Sequence, residues 1–357
     1  MKERWYFKGQ QVEVVSYYKY LGIIFSCRLQ WYMATKTLAQ QARKVLFSLL
    51  KATKKTGMLT YDAFFKLFDT MILSIFTYGS EIWGHEQYET LERIQYMACR
   101  SFLGVSSNSP NVSVLGECGR YPIYLYTAKR CVKYWAKLLN MPNNRYPRKC
   151  YDMLYYIERS GVRSKSTWVK SVENLLILAN MHDVWENQEV RNVNNFVKTF
   201  VNNFKEYLFL NWRSELCSMD KLSSYRNFKV SLDTEKYLFI LKLPVHIQMM
   251  ARFRCSSHYL RIETDRKYSI ERSQRVCLFC DSSELEDEYH CLPFCPFFIH
   301  LREKYVPRDY FEPPNEQKCL ALMTSDVTDI IQRLAAYVFH AMKLRKEVHE
   351  IANICNR

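Results

Sequence analysis

Apolar and polar positions alternate in only one short stretch of this chain, near its start. Val12, Val14, Tyr17 and Tyr18 lead into Tyr20-Leu-Gly-Ile-Ile-Phe25, β-branched and aromatic enough to predict a short hairpin within residues 10–26. Beyond it the period lengthens to that of a helix. From Trp31 to Ala52 apolar residues recur at Leu38, Ala42, Val45, Leu46 and Leu49, with Lys36, Arg43, Lys44 and Lys51 outside the stripe. This predicts a basic amphipathic helix ending before Gly57. Thr60 reads as the N-cap of a second helix, apolar nearly all round from Phe64 to Tyr78 and therefore central to a core. A third helix, from about Tyr88 to Leu103, stops at Gly104, which suits the left-handed position after a helix end. Ser109-Pro110 predicts a cap followed by proline in the first turn of the next helix.

After Pro122 a long helix carrying Lys129, Arg130, Lys133 and Lys137 is expected, breaking near Met141-Pro142. The stretch 140–147, with two prolines and three asparagines, reads as a domain boundary. Helical patterning resumes at about 151–159, 167–180, 189–216 and 234–254, with a final helix at about 326–350. The expected class is mainly α with a short N-terminal β-hairpin. Its expected divisions are 1–30 (hairpin), 31–140 and 141–255 (helical domains), 256–305 (a Cys/His unit) and 306–357 (a C-terminal helix).

Composition sharpens this picture in three ways. A chain of 357 residues has room for two or three domains, and only 9 Gly and 10 Pro argue against a turn-rich β-sandwich. No apolar run approaches the ~18 residues needed to span a bilayer, and Met1-Lys-Glu-Arg-Trp lacks the apolar core of a secretion signal. A soluble protein of the nucleus and/or cytoplasm is expected, with no membrane partner. The 13 cysteines, an odd number scattered among helical patterns, read as reduced thiols apart from those that cluster.

The net charge of +15 is unevenly spread. Residues 1–60 hold eleven Lys/Arg against two acids, 121–180 eleven against three, and 241–280 eight against three. The next twenty residues reverse the sign, with five acids and no Lys or Arg. Basic blocks of this kind attract polyanions by long-range steering and counterion release, so RNA and/or DNA is the expected partner.

Candidate chemistry concentrates in one motif. Cys277-x2-Cys280-x9-His290-x4-Cys295 places a tight Cys pair on one knuckle and a His/Cys pair on the return, the arrangement a tetrahedral zinc site requires. Cys291 and His300 lie nearby at poorer spacing. A closed set of four protein ligands favours a structural Zn2+ over a catalytic one, and metal binding would then contribute directly to folding. The sequence contains no Gly-x-Ser-x-Gly, no Gly-rich phosphate loop and no His-Glu-x-x-His.

Several segments together resemble a known family. Tyr18-Lys-Tyr-Leu-Gly-Ile-Ile-Phe25, Leu103-Gly-Val, Ser109-Pro-Asn-Val-Ser-Val-Leu-Gly-Glu-Cys-Gly-Arg-Tyr-Pro122 and Val132-Lys-Tyr-Trp-Ala-Lys137 are similar to the region that follows the polymerase core in non-LTR (LINE-type, jockey-like) retrotransposon reverse transcriptases. Phe253-Arg-Cys-Ser-Ser-His-Tyr-Leu-Arg-Ile-Glu263, Glu286-Asp-Glu-Tyr-His290 and Cys295-Pro resemble their C-terminal cysteine–histidine region, in the same order. The resemblance implies a remnant of the palm-end hairpin and a thumb-like helical bundle. After these it implies a second helical domain ending in a small CCHC zinc knuckle. The family's aromatic-x-Asp-Asp pair, which holds two metal ions, has no counterpart: no Asp-Asp occurs, and Asp62, Asp152 and Asp309 each stand alone beside an aromatic. The endonuclease part is absent too. The expectation is a catalytically incomplete fragment, not an enzyme, without a small-molecule substrate. It would bind element RNA or target DNA, with the catalytic part of the parent element protein as a further partner.

In that context Lys36, Arg43, Lys44 and Lys51 would lie along a template–primer backbone. Arg252, Arg254, His258, Arg261, Arg272 and Arg275, with Tyr259 and Tyr268, form a second candidate surface suited to phosphate contacts and base stacking on single strands. The competing reading is that some of these arginines brace the zinc unit through Glu284, Glu286, Asp287 or Glu288, and that His258 is a core histidine. For the whole chain, the alternative is a non-enzymatic zinc-containing protein-interaction module derived from a mobile element.

Overall fold

Two short turns shape the start of the chain. The computed structural model describes residues 4–57, 59–161 and 167–355. Lys8 and Gly9 have φ +47° and +80°, and Leu21 and Gly22 have φ +45° and +87°. Two successive left-handed residues make the turn that matches strand twist, so each pair closes a hairpin. β1 (Trp5–Phe7) pairs with β2 (Gln10–Val12), and β3 (Tyr17–Tyr20) with β4 (Ile23–Ser26), both antiparallel. The expected hairpin is therefore β3–β4, while Val12 pairs backwards onto Trp5 because Gly9 permits an earlier reversal. Among the described residues the remaining elements are helical, and the fold is mainly α.

The basic helix runs Tyr32–Thr56 and buries Ala34, Leu38, Ala42, Leu46 and Leu49. Thr60 caps its successor, Tyr61–Phe68, by accepting the Ala63 N–H at 3.3 Å. The helical path then widens at Asp69–Leu73 and continues as Ser74–Thr77. Glu89–Leu103 ends at Gly104, φ +63°, and Val105 N–H closes back on Arg100 carbonyl at 3.2 Å. Pro110 itself occupies the cap position of Asn111–Glu117, with Ser109 not capping. The Ser109 carbonyl accepts from the Arg100 guanidinium at 2.6 and 3.2 Å, and that guanidinium also donates to Asn111 Oδ1 at 2.6 Å.

Ile123–Leu139 follows Pro122, and a buried carboxylate serves as its cap. Glu92 accepts the N–H groups of Ile123 and Tyr124 at 2.9 and 3.0 Å. Burial pushes Glu92 up to about 7 despite these bonds. Further helices are Tyr146–Arg159, Trp168–Leu178 and Val193–Ser218. The helix expected over 234–254 is divided into Tyr237–Ile240 and Pro244–Arg254. Pro244 has no N–H to donate and holds Leu243 extended, at ψ 119°. Thr328–Cys355 is the last helix.

The chain forms two compact units, Met1–Leu49 with Leu67–Ile94 and Pro122–Phe204, and Leu50–Lys66 with Gln95–Tyr121 and Lys205–Arg357. In the first, Trp135 packs on Trp185 with ring centroids 5.6 Å apart and donates its indole N–H to Tyr151 at 2.9 Å. In the second, Trp212 donates to Val112 carbonyl at 2.8 Å and Tyr225 to Ser113 carbonyl at 3.2 Å, so large buried aromatics spend their polar atoms as well as their area. Among the described residues no helix is long and apolar enough to cross a membrane.

Candidate functional site

The Cys/His unit lies within the second compact unit and starts from a very narrow ladder. Val276 and Leu285 form an antiparallel bridge, Cys277 N–H donates to Glu284 carbonyl at 2.8 Å, and Glu286 N–H donates to Arg275 carbonyl at 3.0 Å. This holds Cys277 against the returning chain while the loop between, with Ser283 at φ +54°, carries Cys280. Asp287 Oδ1 accepts the His290 N–H at 2.9 Å and starts the wide helical turn His290–Phe294. Cys295 N–H closes that turn on His290 carbonyl at 2.8 Å, and Cys295 comes to rest beside Cys277.

The four ligand atoms of Cys277, Cys280, His290 and Cys295 lie within 4.8 Å of one another, and the cluster could hold a metal ion. Cys277 Sγ is 3.9 Å from Cys295 Sγ, and Cys280 Sγ is 3.3 Å from His290 Nε2. Three of the four residues are buried and Cys280 is half-buried. His290 Nδ1 lies 3.0 Å from Glu284, which leaves Nε2 directed at the thiols. Hydrogen bonding to Cys295 holds the Cys277 thiol below its usual range, and the same bond pushes Cys295 up. Burial pulls His290 down, but bonds to Cys277 and Glu284 outweigh it and raise the imidazole to about 9. A bound cation would displace the protons that these thiols and the imidazole carry. Cys291 stands outside the cluster, buried, with its carbonyl accepting the Tyr337 hydroxyl at 2.6 Å; His300 is exposed and also outside.

Long side chains brace the unit from behind. Arg302 donates to the carbonyls of Leu292 and Cys295 at 2.6 and 2.7 Å. Arg345, from the last helix, pairs with buried Glu286 at 2.9 Å and lies 4.6 Å from the Phe279 ring centre. His258 meets Glu288 at 2.8 Å, where Ser224 and Ser256 also donate. Burial opposes the Glu288 charge, yet His258 and these bonds hold its carboxyl below the usual range.

The ten basic residues singled out from sequence fall into two situations. Lys36, Arg43, Lys44 and Lys51 are exposed along one side of the Tyr32–Thr56 helix, which contains no Asp or Glu. Among the described residues none of the four is ion-paired; Lys36 lies 5.8 Å from the Tyr32 ring centre and Arg43 5.3 Å from that of exposed Phe47.

The second group is mostly turned inward. Arg252 donates to Gly104 carbonyl at 2.6 Å. Arg254 is buried, with Glu117 at 2.8 Å and Glu235 at 2.8 Å; burial disfavours its charge, and the two carboxylates outweigh that and raise the guanidinium. Arg261 binds Asp265 and the Val276 carbonyl at 2.6 and 2.8 Å. Arg275 is buried on the carbonyls of Ile270 and Ile262. His258 sits in the interior on Glu288. Arg272 alone of this group is exposed, as is Tyr268. Of the acids proposed from sequence as braces, Glu288 takes His258 from this group, while Arg254 uses Glu117 and Glu235 instead.

One cluster escaped the sequence selection. Lys129, Arg130, Lys133 and Lys137 line a cavity of about 430 Å³ in the first unit with Thr77, Glu81, Tyr126 and Tyr134. Arg130 is paired with Glu81 at 2.7 Å, whereas Lys129, Lys133 and Lys137 are not ion-paired among the described residues. Their i, i+4, i+8 spacing, which aligns them along one helix face, was the signal available. Comparison with known protein families, curated proteins and solved structures finds no match.

Proposed function

We propose that this chain binds RNA or DNA by its phosphate backbone, as the thumb-side and C-terminal part of a non-LTR retrotransposon reverse transcriptase without a polymerase centre of its own. The observation that carries this reading is the Tyr32–Thr56 helix, where exposed cations face solvent with no carboxylate on the helix to neutralise them. Lys36, Lys44 and Lys51 are spaced by about two turns, roughly 11 Å, so one helix side can meet several phosphates in succession. Such contacts position a strand without reading its sequence, and they match a polymerase thumb in kind. The cavity on Ile123–Leu139 adds a second basic face, where Glu81 pairs with Arg130 and leaves Lys129, Lys133 and Lys137 without an ion pair among the described residues. The reverse-transcriptase part of the reading rests on the sequence segments from Tyr18 to Cys295, and the missing Asp-Asp pair is where the chain departs from that family's pattern.

Zinc is the metal that suits the cluster. Ligands about 2.3 Å from a tetrahedral zinc stand roughly 3.8 Å apart, against separations of 3.9 and 3.3 Å here. Three thiols and an imidazole are its preferred donors, and a carboxylate behind the imidazole is the usual support. With four protein ligands no position remains for a reacting water, so the ion scaffolds. Purified protein should contain one zinc per chain, lost in Cys277→Ser and in Cys295→Ser; metal retained by both variants would overturn the assignment.

A second reading, a module that binds other proteins, draws on the N-terminal hairpins, whose Trp5, Tyr6, Phe7, Tyr17, Tyr18 and Tyr20 are all exposed. The two readings separate on one variant. Lys36→Glu with Arg43→Glu and Lys44→Glu should weaken binding to labelled single-stranded RNA by about 100-fold, through the loss of several phosphate contacts at once. Unchanged affinity in fluorescence anisotropy, or no binding by the wild type, would favour the second reading.

A further inference from the structure

Arg226, Arg266, Arg272 and Arg275 converge on a cavity of about 460 Å³ in the second unit, whose remaining lining is Asp220 and Ser223. Four guanidiniums around one space repel each other, and a single carboxylate faces them from the lining. Most of the bonds that hold them go to neutral oxygens, which orient a guanidinium without cancelling its charge. Arg226 donates to Cys217 carbonyl at 2.8 Å, and Arg275 donates to the carbonyls of Ile270 at 2.6 Å and Ile262 at 2.9 Å. Arg272 reaches Ser223 Oγ at 3.5 Å. Arg266 meets Glu263 at 3.2 Å, but that carboxylate also serves Lys221 at 3.3 Å. Arg266 Nε is buried with no hydrogen-bond partner. Buried donors are rarely left unspent in a folded protein, and this one sits on a side chain that lines the cavity.

An anion would answer both features at once. Guanidinium forks match the oxygens of a phosphate group, which can accept from several of them together. The charge also selects among phosphates. An internal phosphodiester carries one negative charge, whereas a terminal phosphate carries up to two and meets a four-to-one cation excess better. The volume lies within the roughly 300–1,000 Å³ of small-molecule sites, so it accommodates a phosphate with part of what it is attached to.

We propose that this cavity is a binding site for a terminal phosphate group. It deepens the nucleic-acid reading and rests on it for one source of the ligand, the phosphorylated end of a strand; the other source is a free phosphate compound.

The test uses the full chain with its metal bound, checked by zinc content, and inorganic phosphate as the first probe in titration calorimetry. Phosphate should bind the wild type, and Arg272→Ala, which removes an exposed side chain, should weaken it about tenfold, as loss of one charge-assisted bond does. Arg226→Ala should act in the same direction, and Arg272→Lys should retain more affinity than Arg272→Ala. No binding of phosphate by the wild type, or wild-type affinity in both alanine variants, overturns the proposal. Single-stranded RNA with a 5′-phosphate or a 5′-hydroxyl then identifies the source: preference of about tenfold for the phosphorylated strand assigns the site to a strand end. Equal affinity for the two strands, with phosphate still bound, assigns it to a free phosphate compound. The Lys36→Glu, Arg43→Glu, Lys44→Glu variant keeps the two claims apart, since it should lose RNA and keep phosphate. RNA binding that survives while phosphate fails to bind removes the cavity proposal and leaves the proposed function standing.

Discussion

At the scale of single residues, Glu284 and Glu286 lie two positions apart and do different work. Glu284 sits 3.0 Å from His290 Nδ1, so it fixes which ring nitrogen is free to meet a metal. Glu284→Ala should lower zinc affinity by about 10–100-fold, the usual effect of losing such a support, as read by competition with a chelator; unchanged affinity would show that the histidine needs no orienting partner. Glu286 is fully buried on Arg345. Arg345→Ala would strand that carboxylate and should cost about 3–5 kcal/mol in urea unfolding, whereas a loss under about 1 kcal/mol would mean that Glu286 finds another partner or protonates. The Cys277, Cys280, His290 and Cys295 cluster, which could hold a metal ion, was legible in the sequence because such spacing is local: all four lie within 277–295. The arginine braces were not. Arg254 meets Glu117, 137 positions away, and Arg275 spends its donors on backbone carbonyls, which no sequence pattern marks.

At the scale of elements, helix ends carry the informative chemistry. Gly104 closes Glu89–Leu103 at φ +63°, and an added Cβ would stand 2.7 Å from the Gln248 side chain. Gly104→Ala combines backbone strain with that close contact and should destabilise by about 1 kcal/mol or more in thermal or urea unfolding. Glu92 caps Ile123–Leu139 from the interior, and burial raises it to about 7. A carboxyl raised in the folded state favours folding in its protonated form. Its contribution is complete below the unfolded value near 4.5 and is lost as pH climbs through about 7. Wild-type urea midpoints should therefore fall across that window by more than those of Glu92→Gln; parallel profiles would contradict the assignment. Long periodic helices such as Tyr32–Thr56 were readable from apolar spacing alone. The division at Pro244 and the first hairpin were misread, because a helical period ran on either side of the proline and the Lys8-Gly9 turn lay outside the alternating stretch.

At the scale of the whole molecule, charge is where sequence and structure diverge most usefully. The net +15 is unchanged by pairing, which removes one charge of each sign, but folding decides which of the cations face solvent. Arg252, Arg254 and Arg261 spend their donors on carboxylates and carbonyls, so the block at 241–280 loses part of the surface it promised, and Arg302 and Arg345 are buried in the same way. Among the described residues, the Tyr32–Thr56 helix, the lysine face on Ile123–Leu139 and the arginine cavity each gather cations that are not balanced by acids of equal number. The central claim is that the helix stripe neutralises phosphates. Its most direct test is the slope of log affinity against log salt for single-stranded RNA, which for single strands is about −0.7 per phosphate neutralised. Replacing Lys36, Lys44 and Lys51 with alanine should make that slope shallower by about 2, since three contacts are removed. A wild-type slope near zero, or the same slope in the triple variant, would contradict the account.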